Sequence, residues 1–197
     1  RQDISGIQNR AGSIFFLLTI VGLTSLSAID LFIRERNVAI HEHRRNTYRT
    51  TPYFVAKTLC DFIPIRVLPP VFMGAIAYRM MGFQDNMDRF ELFLGVLVMV
   101  SIASSCLCII VASLVHSTAA ATVIATVLIM VQVLFSGFLL NRKTVPSGVE
   151  WVLDGSLFSY AYEALFINEF EGLFFTYTNN DQTTLVTGIF LMEKFGV

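Results

Sequence analysis

The stretch DLFIRERNVAIHEHRRNTYRTTPYFVAKTLCDFIPIRVLPPVFMGAIAYRMMGF, from Asp30 to Phe83, joins a basic segment directly to an apolar one. Its first part, Arg34 to Lys57, is rich in Arg and Lys and holds few acids. Its second part, Phe62 to Tyr78, is apolar but is interrupted by Arg66 and by prolines. Because Lys and Arg concentrate on the cytoplasmic side of membrane proteins, this order predicts a cytosolic elbow that leads into a proline-broken helix.

The composition predicts an all-α membrane protein. The chain has 197 residues, of which 54% are hydrophobic and only 15% are charged, whereas soluble domains carry about 25% charged residues. The charges are clustered, so long stretches of the sequence contain none. The net charge is -1, and no extended basic face is available outside residues 34–57, so no nucleic-acid partner is predicted.

Four apolar runs predict a polytopic helical bundle, with spans at about residues 11–33, 59–81, 91–115 and 119–140. The elbow, residues 34–57, lies between the first two spans, and an acidic segment, residues 141–197, follows the last. With four spans, the elbow falls in the cytosol and the acidic segment falls outside. Within that segment, Trp151 to Phe175 is aromatic but too acidic for a lipid-exposed span, which predicts an extracellular cap of short re-entrant helices.

Two features inside the spans leave alternatives open. Arg66 would cost about 2.5–3.5 kcal/mol at the centre of a lipid-exposed helix, so it either snorkels to the inner interface or contacts a neighbouring helix or a substrate path. The small residues of Ser101 to Cys108 favour close helix packing over a nucleophilic role for Ser104 or Ser105. The three cysteines are an odd number inside or beside apolar spans, so a disulfide framework is not predicted.

The residues support no catalytic assignment, so the chain by itself is predicted not to be an enzyme. No Gly-rich phosphate loop, HExxH or GxSxG motif is present. His41 and His43 are spaced i,i+2 and would not share a helix face, so no metal site is predicted. An intramembrane enzyme that uses Asp61, Ser104 or His116 is an alternative, but their spacing forms no recognisable constellation.

Three ordered motifs resemble the membrane domain of the G subfamily of ABC transporters, the White and pleiotropic-drug-resistance type. FSGFLLN, Phe135 to Asn141, is similar to the end of that family's fifth span, and YAYEALFINEF, Tyr160 to Phe170, is similar to its Y-x-x-x-A-L-x-x-N-E-F signature. The family often has Pro-Arg where this sequence has Phe158 and Ser159. The stretch from Glu35 to Pro70, which holds the elbow and the start of the next span, resembles the family pattern at Glu35, Arg36, Glu42, Tyr48, Arg49, Tyr53, Phe54, Lys57, Asp61, Pro64 and Pro69.

The resemblance implies a type II exporter (ABC-2) fold in which the four spans are the second to fifth of six. The other two spans and the nucleotide-binding domain, with its ATP and Mg²⁺, would lie outside this chain, which would hold no cofactor. It further implies ATP-driven export of lipids, sterols or amphipathic drugs from a multi-pass protein of the plasma membrane or an organelle membrane. The implied partners are the nucleotide-binding domain, a second half-transporter (a homodimer, heterodimer or fused pair), membrane lipids and the hydrophobic substrate. A non-transporting structural or receptor-like membrane protein is the alternative.

The resemblance also implies three groups of site residues. A substrate cavity between the second and fifth spans of two halves would be lined by Leu23, Thr126, Ile129 and Val133. An outer gate of bulky apolar residues would follow the Ser-Gly of the fifth span, at Phe138 and Leu139. A coupling elbow would transmit nucleotide-domain motion through Glu35, Arg36 and Glu42. The alternatives are ordinary helix or lipid packing for the cavity residues and a solvated interface for the elbow.

Overall fold

The structure, a computed structural model, describes residues 4–44, 50–139, 155–171, 174–179 and 182–187. A π-helical turn, Thr58–Phe62, links the third and fourth helices. Two strands, β1 (Phe174–Asn179) and β2 (Gln182–Thr187), follow the last helix. The α-helices of the described residues are α1 Ile4–Thr24, α2 Ser27–Arg44, α3 Thr50–Lys57, α4 Ile63–Met81, α5 Met87–Leu114, α6 Thr118–Leu134 and α7 Leu157–Phe170.

The first predicted span is divided between α1 and α2 by a tight turn. The backbone N–H groups of Ser25 and Leu26 donate to the carbonyls three residues earlier, each at 3.1 Å. The Ser25 hydroxyl also donates to the carbonyl of Val21 at 3.0 Å. Hydroxyl groups that bond to the preceding turn compete with regular helix, which explains a break at this point. As a result, the single helix α2 carries both the end of the predicted span and the first part of the basic elbow.

Helix α5 is the centre of the bundle, since it contacts α1, α2, α4, α6 and α7. Its buried residues recur every three or four positions, which is the spacing of one helix face. Ser101, Ser104 and Ser105 are all buried, and the Ser25 hydroxyl reaches the Ser101 carbonyl at 3.4 Å. The small residues therefore let α1 and α5 approach closely, as the sequence predicted.

Helix α4 packs one face on α5 and turns an apolar stripe outward. A Cβ added at Gly74 would lie 2.8 Å from both Leu94 Cδ2 and Leu97 Cδ1, so the two helices are in close contact there. On the opposite side, large apolar side chains recur at nearly helical spacing and remain exposed: Ile65, Leu68, Phe72, Ile76 and Met80. An exposed stripe of this kind suits a lipid environment better than water.

Three helical segments among the described residues are long and apolar enough to cross a membrane: Gly6–Glu42, Thr51–Met81 and Met87–Leu114. Helix α6, Thr118–Leu134, is apolar but shorter, and it ends before the predicted boundary at residue 140. The turn that ends α6 passes through Gly137, whose φ of 89° lies outside the helical range. The predicted all-α membrane bundle is confirmed, whereas the number of spans that cross the membrane stays a prediction.

The acidic segment contains both a helix and a hairpin. Helix α7 lies within the stretch for which short helices were predicted, and its face formed by Phe158, Tyr162, Phe166 and Phe170 is buried. The following strands pair antiparallel, with Phe174 opposite Thr187 and Asn179 opposite Gln182. This two-stranded hairpin was not predicted from the sequence. The cap residues before Gly155, including Trp151, lie outside the described residues.

Candidate transport site

The predicted gate, Phe138 and Leu139, lies at the turn after α6, where Phe138 contacts two other aromatic side chains. Phe138 stacks on Phe15 of α1, with the ring centroids 4.9 Å apart and the planes at 25°. Its other neighbour is Tyr162 of α7, at 6.0 Å. Leu139 is 52% exposed, so the two predicted gate residues differ in their surroundings. Phe138 therefore links α1 to α7, whereas the Leu139 side chain is exposed on the surface of this chain.

The predicted cavity residues divide into two kinds. Ile129 and Val133 are buried, with 2% and 5% of their surface exposed, among side chains of this chain. Leu23 and Thr126 are half-buried, and the Thr126 hydroxyl donates a hydrogen bond to the Thr122 carbonyl at 2.7 Å. The structure therefore leaves Leu23 and Thr126 as the accessible members, and cavity lining by all four residues stays a prediction.

Gly22 is the point where α1, α6 and α7 meet. A Cβ added there would lie 2.5 Å from Phe158 Cζ and 3.4 Å from Ile129 Cγ2. Phe158 is 1% exposed, so its ring fills the space that this glycine leaves. Phe158 is one of the two positions where the sequence departs from the family pattern, and the departure serves packing against Gly22. The resemblance alone gave no signal for this pairing.

The elbow residues hold α2 against α3 and α5. Glu35 forms an ion pair with Lys57, and both side chains are about three-quarters buried, with 29% and 25% exposed. Arg36 donates to the Ala112 carbonyl of α5 at 3.5 Å. Glu42 is half-buried further along α2. The structure thus places Glu35 and Arg36 in contacts with other helices, and it adds Lys57 to them.

Arg66 of α4 makes the helix contact that was one of its two predicted alternatives. Its residue surface is 5% exposed, and its guanidinium donates to the Thr24 carbonyl at 3.4 Å and to the Ser27 hydroxyl at 3.2 Å. The two partners flank the turn between α1 and α2. The charged end of Arg66 is therefore bonded to neighbouring parts of the protein.

A polar cluster, defined as Arg10, Gln84, Arg89, Asn168 and Glu169, joins α1 and α7 to the α4–α5 connection. Arg10 donates to the Glu169 carboxylate at 2.5 Å and to the Gly82 carbonyl at 2.9 Å. The Gln84 side chain donates to the Glu169 carbonyl at 2.6 Å. Arg89 and Asn168 exchange side chain-to-carbonyl bonds at 2.5 Å and 2.9 Å. Sequence analysis missed this cluster, although Asn168 and Glu169 belong to the N-E-F part of the resemblance.

Ser104 and His116, two of the three residues of the alternative enzymatic interpretation, do not come together. Ser104 is fully buried within α5, and His116 is exposed just beyond the end of the same helix. At about 1.5 Å per residue, the two positions are separated by roughly 18 Å along the helix axis. Among the described residues, no group of His, Cys, Asp and Glu is arranged to hold a metal ion.

An apolar bundle with a basic elbow at one end and an aromatic contact closing the turn after α6 defines a multi-helix membrane domain. The family model of the ABC-2 type transporters matches residues 2–170. The chain belongs to this family, and its relatives identify it as a membrane domain of the G subfamily. It is therefore an integral membrane protein.

The relatives are considerably longer than this chain. "ABC transporter G family member 24" of Dictyostelium discoideum is 35% identical over 195 residues, which cover 97% of this chain and 17% of the relative. "Broad substrate specificity ATP-binding cassette transporter ABCG2" of Mus musculus is 35% identical over 172 residues, covering 87% and 26%. "Probable ATP-dependent permease" of Saccharomyces cerevisiae is 31% identical over 196 residues, covering 98% and 19%. The chain thus spans about a quarter or less of the length of these relatives.

Proposed function

We propose that the chain is the membrane-spanning permease portion of an ATP-driven ABC exporter that moves lipids, sterols or amphipathic hydrophobic compounds. The observation that carries the proposal is Phe138, held between Phe15 and Tyr162 in a bundle that belongs to the ABC-2 family. An apolar side chain at the end of α6 suits hydrophobic cargo, because passing it costs such cargo no lost hydrogen bonds. The relatives named as a transporter and a permease support the same reading.

Energy would come from outside this chain. A nucleotide-binding domain of the same polypeptide would bind ATP and Mg²⁺, and a second half-transporter would complete the cavity. The elbow would pass the motion of that domain to the bundle, because α2 is one rod from the Ser25–Leu26 turn to Arg44 and is tied to α3 through Glu35 and Lys57. Substrate would enter near the elbow and leave past Phe138 and Leu139.

The proposal is tested with the full-length protein in lipid nanodiscs, by ATPase activity screened against sterols and amphipathic drugs and by efflux from cells. Phe138→Ala should change substrate-stimulated ATPase and efflux, because it removes the ring that closes the contact between α1 and α7. The matched control is Phe16→Ala, since Phe16 is 60% exposed and faces away from the aromatic contact.

Two results would count against the proposal. Equal efflux and equal ATPase stimulation in the wild type and Phe138→Ala would show that Phe138 does not act as a gate. A full-length protein that binds no ATP and moves no hydrophobic compound would instead favour a structural or receptor-like role.

A further inference from the structure

A pocket of about 510 Å³ lies at the elbow end of the bundle, away from the predicted gate. Four elements surround it: α2, the segment from α3 into the π-helical turn, the start of α4, and the second half of α5. Most of its wall is apolar, and Leu31, Ile65 and Ile110 form an exposed apolar rim. Since Ile65 also belongs to the exposed stripe of α4, the pocket opens toward the exposed apolar side of the bundle.

Its charged residues are mostly cationic. Arg36, Lys57 and Arg66 line the pocket together with a single carboxylate, that of Glu35, which is paired with Lys57. In the described part of the chain, no carboxylate lies within ion-pair distance of Arg36 or Arg66. A guanidinium carries five N–H donors, and Arg66 uses them for one carbonyl and one hydroxyl. A buried charge of this kind is stabilised by an anion within reach.

We propose that this pocket binds one anionic phospholipid of the cytoplasmic leaflet. Its phosphate would lie at Arg36 and Arg66, because a guanidinium donates to phosphate oxygens through strong charge-assisted bonds. One acyl chain would lie along the apolar wall between Leu31, Ile65 and Ile110. A neutral sterol would leave the arginine charges without a counterion, and a small soluble anion would leave the apolar wall against water.

The position of the pocket gives the bound lipid a consequence for the elbow. Glu35 and Arg36, two of the predicted coupling residues, are part of its wall. A lipid there would contact α2, α4 and α5 at once, and so would occupy the space between α2 and the other two helices. This inference concerns a second site and does not depend on which compound the transporter moves.

The experiment counts lipids bound to the full-length protein by native mass spectrometry, with phosphatidylserine and phosphatidylcholine of identical acyl chains as probes. The wild type should retain one phosphatidylserine more tightly than phosphatidylcholine. Arg66→Met should weaken that preference roughly tenfold, the change expected for one charge-assisted hydrogen bond. Ile110→Trp should reduce binding of both lipids at this site by filling the pocket.

Matched controls keep the test independent of folding defects. Arg34→Met removes an exposed arginine that pairs with Asp30 outside the pocket, and it should leave the preference unchanged. Met99→Trp adds the same ring to an exposed position of α5 away from the pocket. If Arg66→Met does not fold, Ile110→Trp and its control still decide the question.

A photo-crosslinking residue placed at Ile110 identifies the occupant directly. An adduct with phospholipid supports the proposal. An adduct with another part of the polypeptide overturns it, as does equal retention of the two lipids by the wild type, an unchanged preference in Arg66→Met, or unchanged lipid binding in Ile110→Trp.

Discussion

The guanidinium of Arg10 on α1 lies 2.5 Å from the carboxylate of Glu169 on α7, and this ion pair connects α7 to the first helix of the bundle. The Glu169 side chain is 4% exposed, whereas that of Arg10 is 30% exposed. Burial raises the pKa of the Glu169 carboxyl above its ordinary value, while the Gln84 backbone N–H, Arg10 and Arg89 act to lower it. The ion pair therefore only partly offsets the cost of burying the charge.

Glu169→Gln should become more stable relative to the wild type as the pH rises. Because the folded-state pKa is raised, the unfolded chain ionises first, and stability is lost as the pH rises from the ordinary value of 4.5 through the raised value. The amide cannot ionise and should not show this loss. Melting temperatures of the full-length protein in detergent, compared at each pH, provide the measurement. Parallel curves for the two proteins would contradict the prediction.

Arg10→Gln tests the same balance from the other side. It removes a positive charge that lowers the pKa of Glu169, so the carboxyl should titrate at a still higher pH. The variant should lose more stability than the wild type between weakly acidic and neutral pH, measured by the same melting curves. A variant less sensitive to pH than the wild type would show that Arg10 does not stabilise the ionised carboxylate.

Exchanging the charges of Glu35 and Lys57 should preserve coupling that either single change impairs. Each single reversal places like charges together in a contact between α2 and α3 that is about three-quarters buried, whereas the double exchange restores an ion pair worth about 1 kcal/mol. Substrate-stimulated ATPase of the full-length protein is the readout. The Asp30–Arg34 pair is the control, because its side chains are 57% and 77% exposed and reversals there should have little effect. Failure of the double exchange to recover beyond the single changes would argue against a coupling role.

Gly22→Ala should destabilise the bundle by about 1–3 kcal/mol, the usual cost of overpacking. Its Cβ would overlap the buried ring of Phe158, and Phe158→Leu should relieve the clash in the double variant. Gly95→Ala is the control, since a Cβ on α5 at that position meets nothing within 4 Å and should be neutral or stabilising. Thermal unfolding in detergent measures both. Equal effects of the two substitutions would show that Gly22 is not a close-approach point.

Gly137→Ala should cost about 1–2 kcal/mol, because the φ of 89° lies where L-residues with a Cβ are strained. Space is not the cause, since the added Cβ would lie 3.8 Å from Tyr162 Cδ1, an ordinary contact. The substitution should also disturb Phe138, the next residue. Gly12→Ala in the middle of α1 is the control, with 3.9 Å to the Phe138 ring. A loss of stability in Gly12→Ala as large as in Gly137→Ala would point to crowding around Phe138 instead.

The sequence predicted the features that depend on composition and local pattern. The small residues around Ser104 predicted close packing of α5, because their size alone permits it. Arg66 remained between two alternatives, because hydropathy does not tell which way a helix faces; its contact with Ser27 settled the choice. The contact of Phe15 with Phe138 had no local signal, since it arises from the arrangement of helices distant in the chain.

The hairpin shows a different reason for a missed element. Residues 174–179 and 182–187 are rich in Thr and in aromatic or β-branched residues, which is a strand pattern. Because the preceding residues are aromatic and acidic, the predicted helical stretch was extended to Phe175, which lies in the first strand. The cavity assignments for Ile129 and Val133 rested on resemblance, which carries no information on how far each side chain is buried in this chain.

The π-helical turn at Thr58–Phe62 closes on a bond from the Ile63 N–H to the Thr58 carbonyl, one residue wider than an α-helical bond. Each residue rotates an α-helix by about 100°, so the extra residue turns everything downstream by more than a quarter of a revolution. If the same residues formed a regular α-helix, Arg66 would leave α4 in a different direction from the one that reaches Thr24 and Ser27. The π-helical turn therefore sets the direction of the Arg66 side chain, which allows a strongly basic residue within a membrane-spanning segment.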